Sequence, residues 1–232
     1  MEKSNIHEKI KLLTGNGMWH TQETEDLPSV HLSDGPHGLR MQEEKERQNN
    51  VSLVSTCYPT ASALACSWDV TAAERLGRAV AKEAWNADVA VLLGPGINMK
   101  RSPLCGRNFE YFSEDPFLAG RLGAAYVSAA QGEDVAVSLK HFAANNQETN
   151  RQTANSQIDE RALREIYLSA FEYVVKTARP ATVMASYNRL NGYYACENRH
   201  LLTEILREEW GFDGVVISDW GACADLAKAV KA

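Results

Sequence analysis

Short apolar runs alternate along the chain with longer stretches in which apolar residues recur every three or four positions. The runs are SVHLS (29–33), VAVLLG (89–94), VAVSLK (135–140), ATVMAS (181–186) and GVVIS (214–218). Each is short and rich in Val, Leu or Ile, the pattern of a strand buried on both faces of a parallel sheet. PTASALA (59–65) reads as a further strand. Helices fall between the runs. Asp69 is placed to cap VTAAERLGRAVAKEAW, and Asp159 to cap ERALREIYLSAFEYVVKTA, where Leu163, Ile166, Tyr167, Phe171 and Val174 share one face. Asn198 is placed to cap RHLLTEILREEW, and Gly211 to stop it. Alternating strands and helices predict an α/β fold with a parallel sheet.

The residues just beyond each run narrow the architecture. DGPHGLR comes after the first, GPGINMKRSPLCGRNFEYFSEDP after the second, KHFAANNQETNR after the third, YNRLNG after the fourth and DWGA after the last. Every run thus ends in charged, amide or aromatic residues. In a (β/α)8-type barrel such ends meet on one face, where the active sites of those barrels lie. An open doubly wound sheet also gathers ligands at strand ends. The GPG at Gly94–Gly96, however, lacks the G-x-G-x-x-G spacing of a dinucleotide loop and opens no helix, so the barrel is the better reading.

Composition changes this picture mainly by exclusion. Lys and Arg total 24 against 30 acidic residues, a net charge of -6, and the basic residues form no tract, which argues against nucleic acid as a partner. No segment approaches the roughly 18 apolar residues of a membrane span. The five cysteines are widely spaced with no C-x-x-C pair, and the first residues carry no secretory pattern; reduced thiols in a cytoplasmic protein are expected. The six histidines show no metal-ligand spacing, no G-x-S-x-G elbow is present, and neither metal nor cofactor is expected. The polar stretch MQEEKERQNN (41–50) reads as a solvated loop, its place just after a strand end leaving open that it borders a site.

The strand ends carry the candidate chemistry. Asp34 and Arg40, both in SDGPHGLR, fit a turn or a mutual pair as well as a ligand contact. Lys140 and His141 are harder to assign to structure alone, because adjacent cationic donors at the end of a buried strand are costly unless something polar meets them. Met184 and Tyr187 taken singly are ordinary core residues, and Cys105 a small apolar filler. Asp219, beside Trp220 at the end of the last run, is a carboxylate fixed by a strand.

Taken together, LSDGPHGLR, GPGINMKRSPLCGRNFEYFSEDP, SLKHFAANNQE, VMASYNRLNG and GFDGVVISDWGA resemble the N-terminal barrel of glycoside hydrolase family 3, in the family's order and over nearly the whole chain. The resemblance is nearest to bacterial β-glucosidases with a barrel followed by an α/β sandwich domain. It implies that Asp219 is the nucleophile of a retaining hydrolase, with Trp220 beside it. Asp34, Arg107, Lys140, His141, Arg151 and Tyr187 would hold the sugar before the scissile bond, with Arg40 and Met184 in lesser parts of that pocket. A retaining glycosidase needs a second carboxylate about 5 to 5.5 Å from the first. Glu110, Glu114 and Glu148 read better as loop-ordering residues or partners of the arginines, and the loop after Lys140–His141 departs from K-H-F-P-G-H, the pattern of the one-domain N-acetylglucosaminidase branch. Residues 1–232 are therefore expected to be an N-terminal barrel domain, incomplete at its C-terminal end, that acts on a small β-glucoside or oligosaccharide together with a missing C-terminal domain. Alone, the fragment is expected to be inactive and, through its open sheet edge, prone to self-association. A β-xylosidase or β-N-acetylglucosaminidase of the same family, and a non-enzymatic sugar-binding module, are the competing readings.

Overall fold

The computed structural model describes residues 6–42 and 52–232, so most of the 41–50 stretch lies outside the described residues. All five apolar runs form strands: β1 (Leu32–Asp34), β2 (Val91–Leu93), β3 (Ala136–Phe142), β4 (Thr182–Ala185) and β5 (Val215–Ser218). They make one parallel sheet in which each strand neighbours its successor in the chain, with Leu32 opposite Val91, Val91 opposite Ala136, Ser138 opposite Thr182 and Thr182 opposite Val215. This one-way order, without the reversal of a doubly wound sheet, is the winding of a (β/α) barrel.

Three helices pack side by side on one face of the sheet: α1 (Val70–Asn86), α2 (Pro116–Gln131) and α3 (Ser169–Ala178). Asp69 caps α1 by accepting from the Thr71 N–H at 2.8 Å. Asp159 accepts from the Ala162 N–H at 2.9 Å, but the helix it starts passes through one wide turn at Leu163–Tyr167 before α3. Asn198 accepts from the Leu201 N–H at 3.1 Å ahead of the His200–Glu209 helix, and Gly211 comes just after that helix at φ 74°. One expected strand is corrected. Within PTASALA, Ala61–Ala65 is a short helix capped by Thr60. Its alanines have no β-branched preference and the highest helix propensity, so a capping hydroxyl decides the outcome.

The sheet buries two different faces. Outward, Leu92, Val137, Leu139 and Val183 join the helices in the main core. Inward, Val91, Leu93 and Met184 form a second cluster with Leu32, Ile217, Trp19 and Trp220 packed on it, as the two-residue side-chain period requires. Residues 15–21 make a small hairpin that runs against β1, with the Leu32 N–H donating to the Trp19 carbonyl at 2.7 Å. Trp19 also meets Trp220, just beyond β5, at 5.2 Å between ring centroids. In a flat sheet β1 and β5 would lie about 19 Å apart at the usual strand spacing. The ring contact therefore reflects a curled sheet with an interior.

Helix α2 is absent from the periodicity reading for a physical reason. Ten of its sixteen residues are buried, and seven of the sixteen are alanine or glycine, so no polar stripe marks a boundary. Small residues let it nest between α1 and α3. A Cβ on Gly77 of α1 would stand 2.4 Å from the Tyr126 carbonyl oxygen of α2. Gly77→Ala is predicted to destabilise the domain. The helix-propensity gain of about 1 kcal/mol is outweighed by overpacking, typically about 1 to 3 kcal/mol, because a backbone carbonyl cannot rotate away. Urea unfolding of the two proteins checks this, and an equal or higher midpoint for the variant contradicts it.

Candidate functional site

The C-terminal ends of the strands border a cleft of about 620 Å³. All ten residues singled out from the sequence line it: Asp34, Arg40, Arg107, Lys140, His141, Arg151, Met184, Tyr187, Asp219 and Trp220. Asp34 ends β1. Arg107 comes from the loop after β2, Lys140 and His141 from the last turn of β3, and Arg151 from the loop beyond it. Met184 and Tyr187 come from β4 and its exit, Asp219 and Trp220 from the exit of β5.

Lys140 and His141 are consecutive, yet both face the cleft. The ladder between β3 and β4 shifts register between Lys140 and Phe142, and such a bulge lets neighbouring side chains share a face. Asn98 fixes the backbone there as a surrogate strand, accepting from the His141 N–H and donating to its carbonyl, each at 2.7 Å.

The Lys140 ammonium is buried. It donates to Asp34 Oδ1 at 2.7 Å and faces Glu110 Oε2 at 3.6 Å. Glu110 also accepts from Arg107 Nε. Arg107 Nη2 donates to His141 Nε2 at 2.6 Å, and since a guanidinium has no acceptor, Nε2 carries the lone pair. The proton then lies on Nδ1, which donates to the Tyr111 hydroxyl at 3.1 Å. Burial first, then Arg107, Lys140 and Arg151, holds the imidazole pKa well below the usual histidine value, so the ring is neutral. Arg151 pairs with Glu148 at 2.9 Å and lies over the Tyr187 ring at 4.5 Å. Arg40 is tied to Asp34 through its backbone, where its N–H donates to the Asp34 carbonyl at 2.8 Å.

Asp219 differs from the other carboxylates of the cleft. Its Oδ1 accepts from the Trp220 N–H at 2.8 Å. Among the described residues its buried Oδ2 has no donor within full hydrogen-bond reach; Arg107 Nη1 stands off at 3.9 Å, as does His141 Nε2, which carries a lone pair. Burial raises the Asp219 pKa above the usual aspartate value, although the Trp220 N–H, Arg107, Tyr187 at longer range and Lys140 oppose the rise. Tyr187 is pushed up to about 12, by burial and then by Asp219, and stays a phenol that can donate.

The cleft also contains residues not chosen as site residues from the sequence: Met18 and Trp19 near the hairpin, His37 in the loop after β1, Gln42 from the stretch left open as bordering a site, and Phe109 and Glu110 beside Arg107. Glu110 takes the arginine-pairing role expected of it, extended to Lys140. Trp19 and Met18 precede the first apolar run and carry no periodicity. Their signal lies in Trp220, whose Nε1–H donates to the Met18 carbonyl at 3.0 Å.

Strand-end carboxylates, cations and aromatics around an open cleft in a one-way parallel sheet define a barrel-type binding site. The family model for the glycosyl hydrolase family 3 N-terminal domain matches residues 22–232, and the chain belongs to that family. Among curated relatives, thermostable β-glucosidase B of Acetivibrio thermocellus is 51% identical over 100% of this chain, and an exo-α-(1→6)-L-arabinopyranosidase of Bifidobacterium longum is 49% identical over 98%. The chain spans 31% of the length of each. Of the solved structures, β-glucosidase 3B from Thermotoga neapolitana in complex with glucose superposes with a TM-score of 0.91 at 41% identity, over 98% of this chain and 34% of that one. The Kluyveromyces marxianus β-glucosidase with glucose gives 0.93 at 42% identity, over 99% of this chain and 27% of that one.

The Asp34–Lys140 pair yields a prediction with a definite sign. Burial works against the Asp34 charge, but Lys140, the Gly35 N–H and Arg107 together bring its pKa below the usual aspartate value. A lowered folded-state pKa contributes stability above the unfolded value, about 3.9, and that stability is lost as pH falls through the folded value. Asp34→Asn is therefore predicted to be less stable than the parent at neutral pH, with the gap closing on acidification below about pH 4. Denaturation midpoints measured across pH check this; a gap that is constant with pH contradicts it.

Proposed function

We propose that this chain forms the sugar-binding pocket and supplies the nucleophile of a retaining β-glucosidase. The observation that carries the proposal is the Asp219 carboxylate: one oxygen is locked by the Trp220 N–H, the other is buried at the cleft without a full hydrogen bond. In double displacement such an oxygen attacks the anomeric carbon and forms a glycosyl ester, which water then cleaves. Arg107 and Tyr187, set near the carboxylate, favour its ionised form against the cost of burial. Asp34, Lys140 and Arg151 form the polar floor that pairs with sugar hydroxyls, and His37 Nδ1, also buried without a partner among the described residues, adds an acceptor or donor at its edge. His141 acts through Arg107, whose guanidinium it orients. Trp220 and Trp19 offer an apolar wall for a sugar face.

The proton donor is supplied from outside this chain on this reading. Glu110 is engaged by Arg107 and Lys140, Glu148 by Arg151 and Asn145, and Glu114 is exposed away from the cleft lining. The relatives' greater length is consistent with a further domain that provides it. Glucose is the sugar favoured, because β-glucosidases predominate among the relatives and two of the superposed structures hold glucose. The arabinopyranosidase supports a second reading, a pentopyranosidase with the same floor. A pentopyranose lacks only the hydroxymethyl group of glucose, so a floor that pairs with the shared ring hydroxyls fits both.

Two predictions test this function in the complete protein. Asp219→Ala is expected to abolish turnover of an aryl β-glucoside, with azide restoring part of it and giving a product of inverted configuration. Near-normal turnover in the variant would remove Asp219 from the chemistry. Tyr187→Phe deletes a group that lowers the Asp219 pKa, so the acid limb of kcat/KM, which reports the free enzyme, is expected to move to higher pH. An acid limb that is unmoved, or moved downward, contradicts the coupling.

A further inference from the structure

Behind the cleft, the segment that leaves Asp219 folds back towards the start of the His200–Glu209 helix. The Ala222 N–H donates to the Asp219 carbonyl at 3.0 Å. The next residue, Cys223, comes beside Cys196 and Glu197. The two Sγ atoms and a Glu197 carboxylate oxygen all lie within 4.8 Å of one another. Cys196 is buried, while Cys223 and Glu197 are half-buried. Glu197 is held in place, since one of its oxygens accepts from the Asp225 N–H at 2.8 Å. No cysteine spacing signals this grouping, because a helix and a strand separate its two parts in the chain.

We propose that Cys196, Cys223 and Glu197 form a binding site for a thiophilic divalent cation of the zinc type, separate from the sugar cleft. The donor set decides the class of ion. Two thiolates and one carboxylate suit zinc and related borderline-soft ions, whereas calcium and magnesium prefer oxygen alone. Three protein ligands leave a fourth, tetrahedral position for water. The Asp225 N–H gives Glu197 the kind of outer support that orients a ligand. Both cysteines line a groove of about 700 Å³ beside β5. Binding replaces one proton on each thiol, including the one Cys196 now donates to the Ala222 carbonyl at 3.1 Å, and two protons leave per ion with no change of oxidation state. The bound ion would tie the backbone after Asp219 to the turn before the His200–Glu209 helix.

The test is a cobalt titration of the complete protein after treatment with a chelator and a phosphine reductant. Cobalt(II) bound to thiolates shows a charge-transfer absorption that oxygen or imidazole ligands do not give. One equivalent is expected to saturate this band, zinc is expected to bleach it by displacement, and Cys66→Ser, an exposed cysteine elsewhere, is expected to leave it unchanged. Cys223→Ser is expected to abolish the band. Glu197→Gln keeps an acceptor for the Asp225 N–H but loses the charge, and affinity is expected to fall at least as much as loss of an outer partner costs, about 10- to 100-fold. Circular dichroism of each apo variant establishes that it is folded. Absence of the band in the parent protein, persistence of the band in Cys223→Ser, or unchanged affinity in Glu197→Gln each overturns the site.

Discussion

A buried ammonium, that of Lys140, is the constraint on which the cleft depends. Its side chain is 3% exposed, and a charge so placed is tolerated only with partners at hydrogen-bond range. Those partners come from elsewhere in the chain: Asp34 from the end of β1 and Glu110 from the loop after β2. Glu110 in turn holds Arg107, and Arg107 reaches both His141 and the approach to Asp219. One requirement, that the Lys140 charge be met, thus draws together the ends of β1 and β3 and the loop after β2. The same chain of alternating charges extends to β5. Cations engage the other carboxylates of the cleft and stop 3.9 Å short of Asp219 Oδ2. Asp219 is thus the cleft carboxylate whose charge is not directly paired.

The histidine in this network is neutral. A protonated ring would add a cation to a place that already holds Lys140, Arg107 and Arg151, and burial and those charges all push against it. Held neutral, it accepts from Arg107 and donates to Tyr111, which itself accepts from Asn145 at 3.2 Å. The ring therefore transmits the position of the buried β2–β3 loops to the guanidinium that approaches Asp219. Exchange for a residue of similar bulk without both nitrogens would leave Arg107 and Tyr111 each short of a partner.

The strands and the cleft were legible in the sequence for the same reason. A strand buried on both faces has to be a short, continuous apolar run, and polar residues beyond its end have to be there for something other than packing. Lys140–His141 and Asp219 stand out on that ground alone, and the resemblance extended the reading to Arg107, Arg151 and Tyr187, whose loops carry no period. Three things were not legible. Helix α2 is buried on nearly all sides, so it has no stripe. Ala61–Ala65 was a choice between strand and helix that a single Thr60 hydroxyl settles. Trp19 reaches the site only because the sheet curls, which a linear pattern does not encode. Nor does a linear pattern encode that burial raises the Asp219 pKa against the groups that lower it.

That balance of burial and charge bears on the proposed chemistry. A carboxylate paired at 2.7 Å, as Asp34 is with Lys140, has its lone pairs committed to a donor and must break that bond before it can attack. A carboxylate with no cation nearby stays protonated when buried. Asp219 lies between these limits. At 3.9 Å Arg107 keeps about two-thirds of the Coulomb attraction it would have at 2.7 Å, since that energy falls only as 1/r, whereas the directional hydrogen bond is lost. The arrangement favours charge on the carboxylate without engaging the oxygen that carries it. The Trp220 N–H, bound to the other oxygen, fixes the plane of the group, and Oδ2 is left buried with no hydrogen-bond partner among the described residues. On the nucleophile reading, the standoff between Arg107 and Asp219 is itself the functional geometry, and the Glu110 carboxylate that holds Arg107 back is as much a part of it as the aspartate.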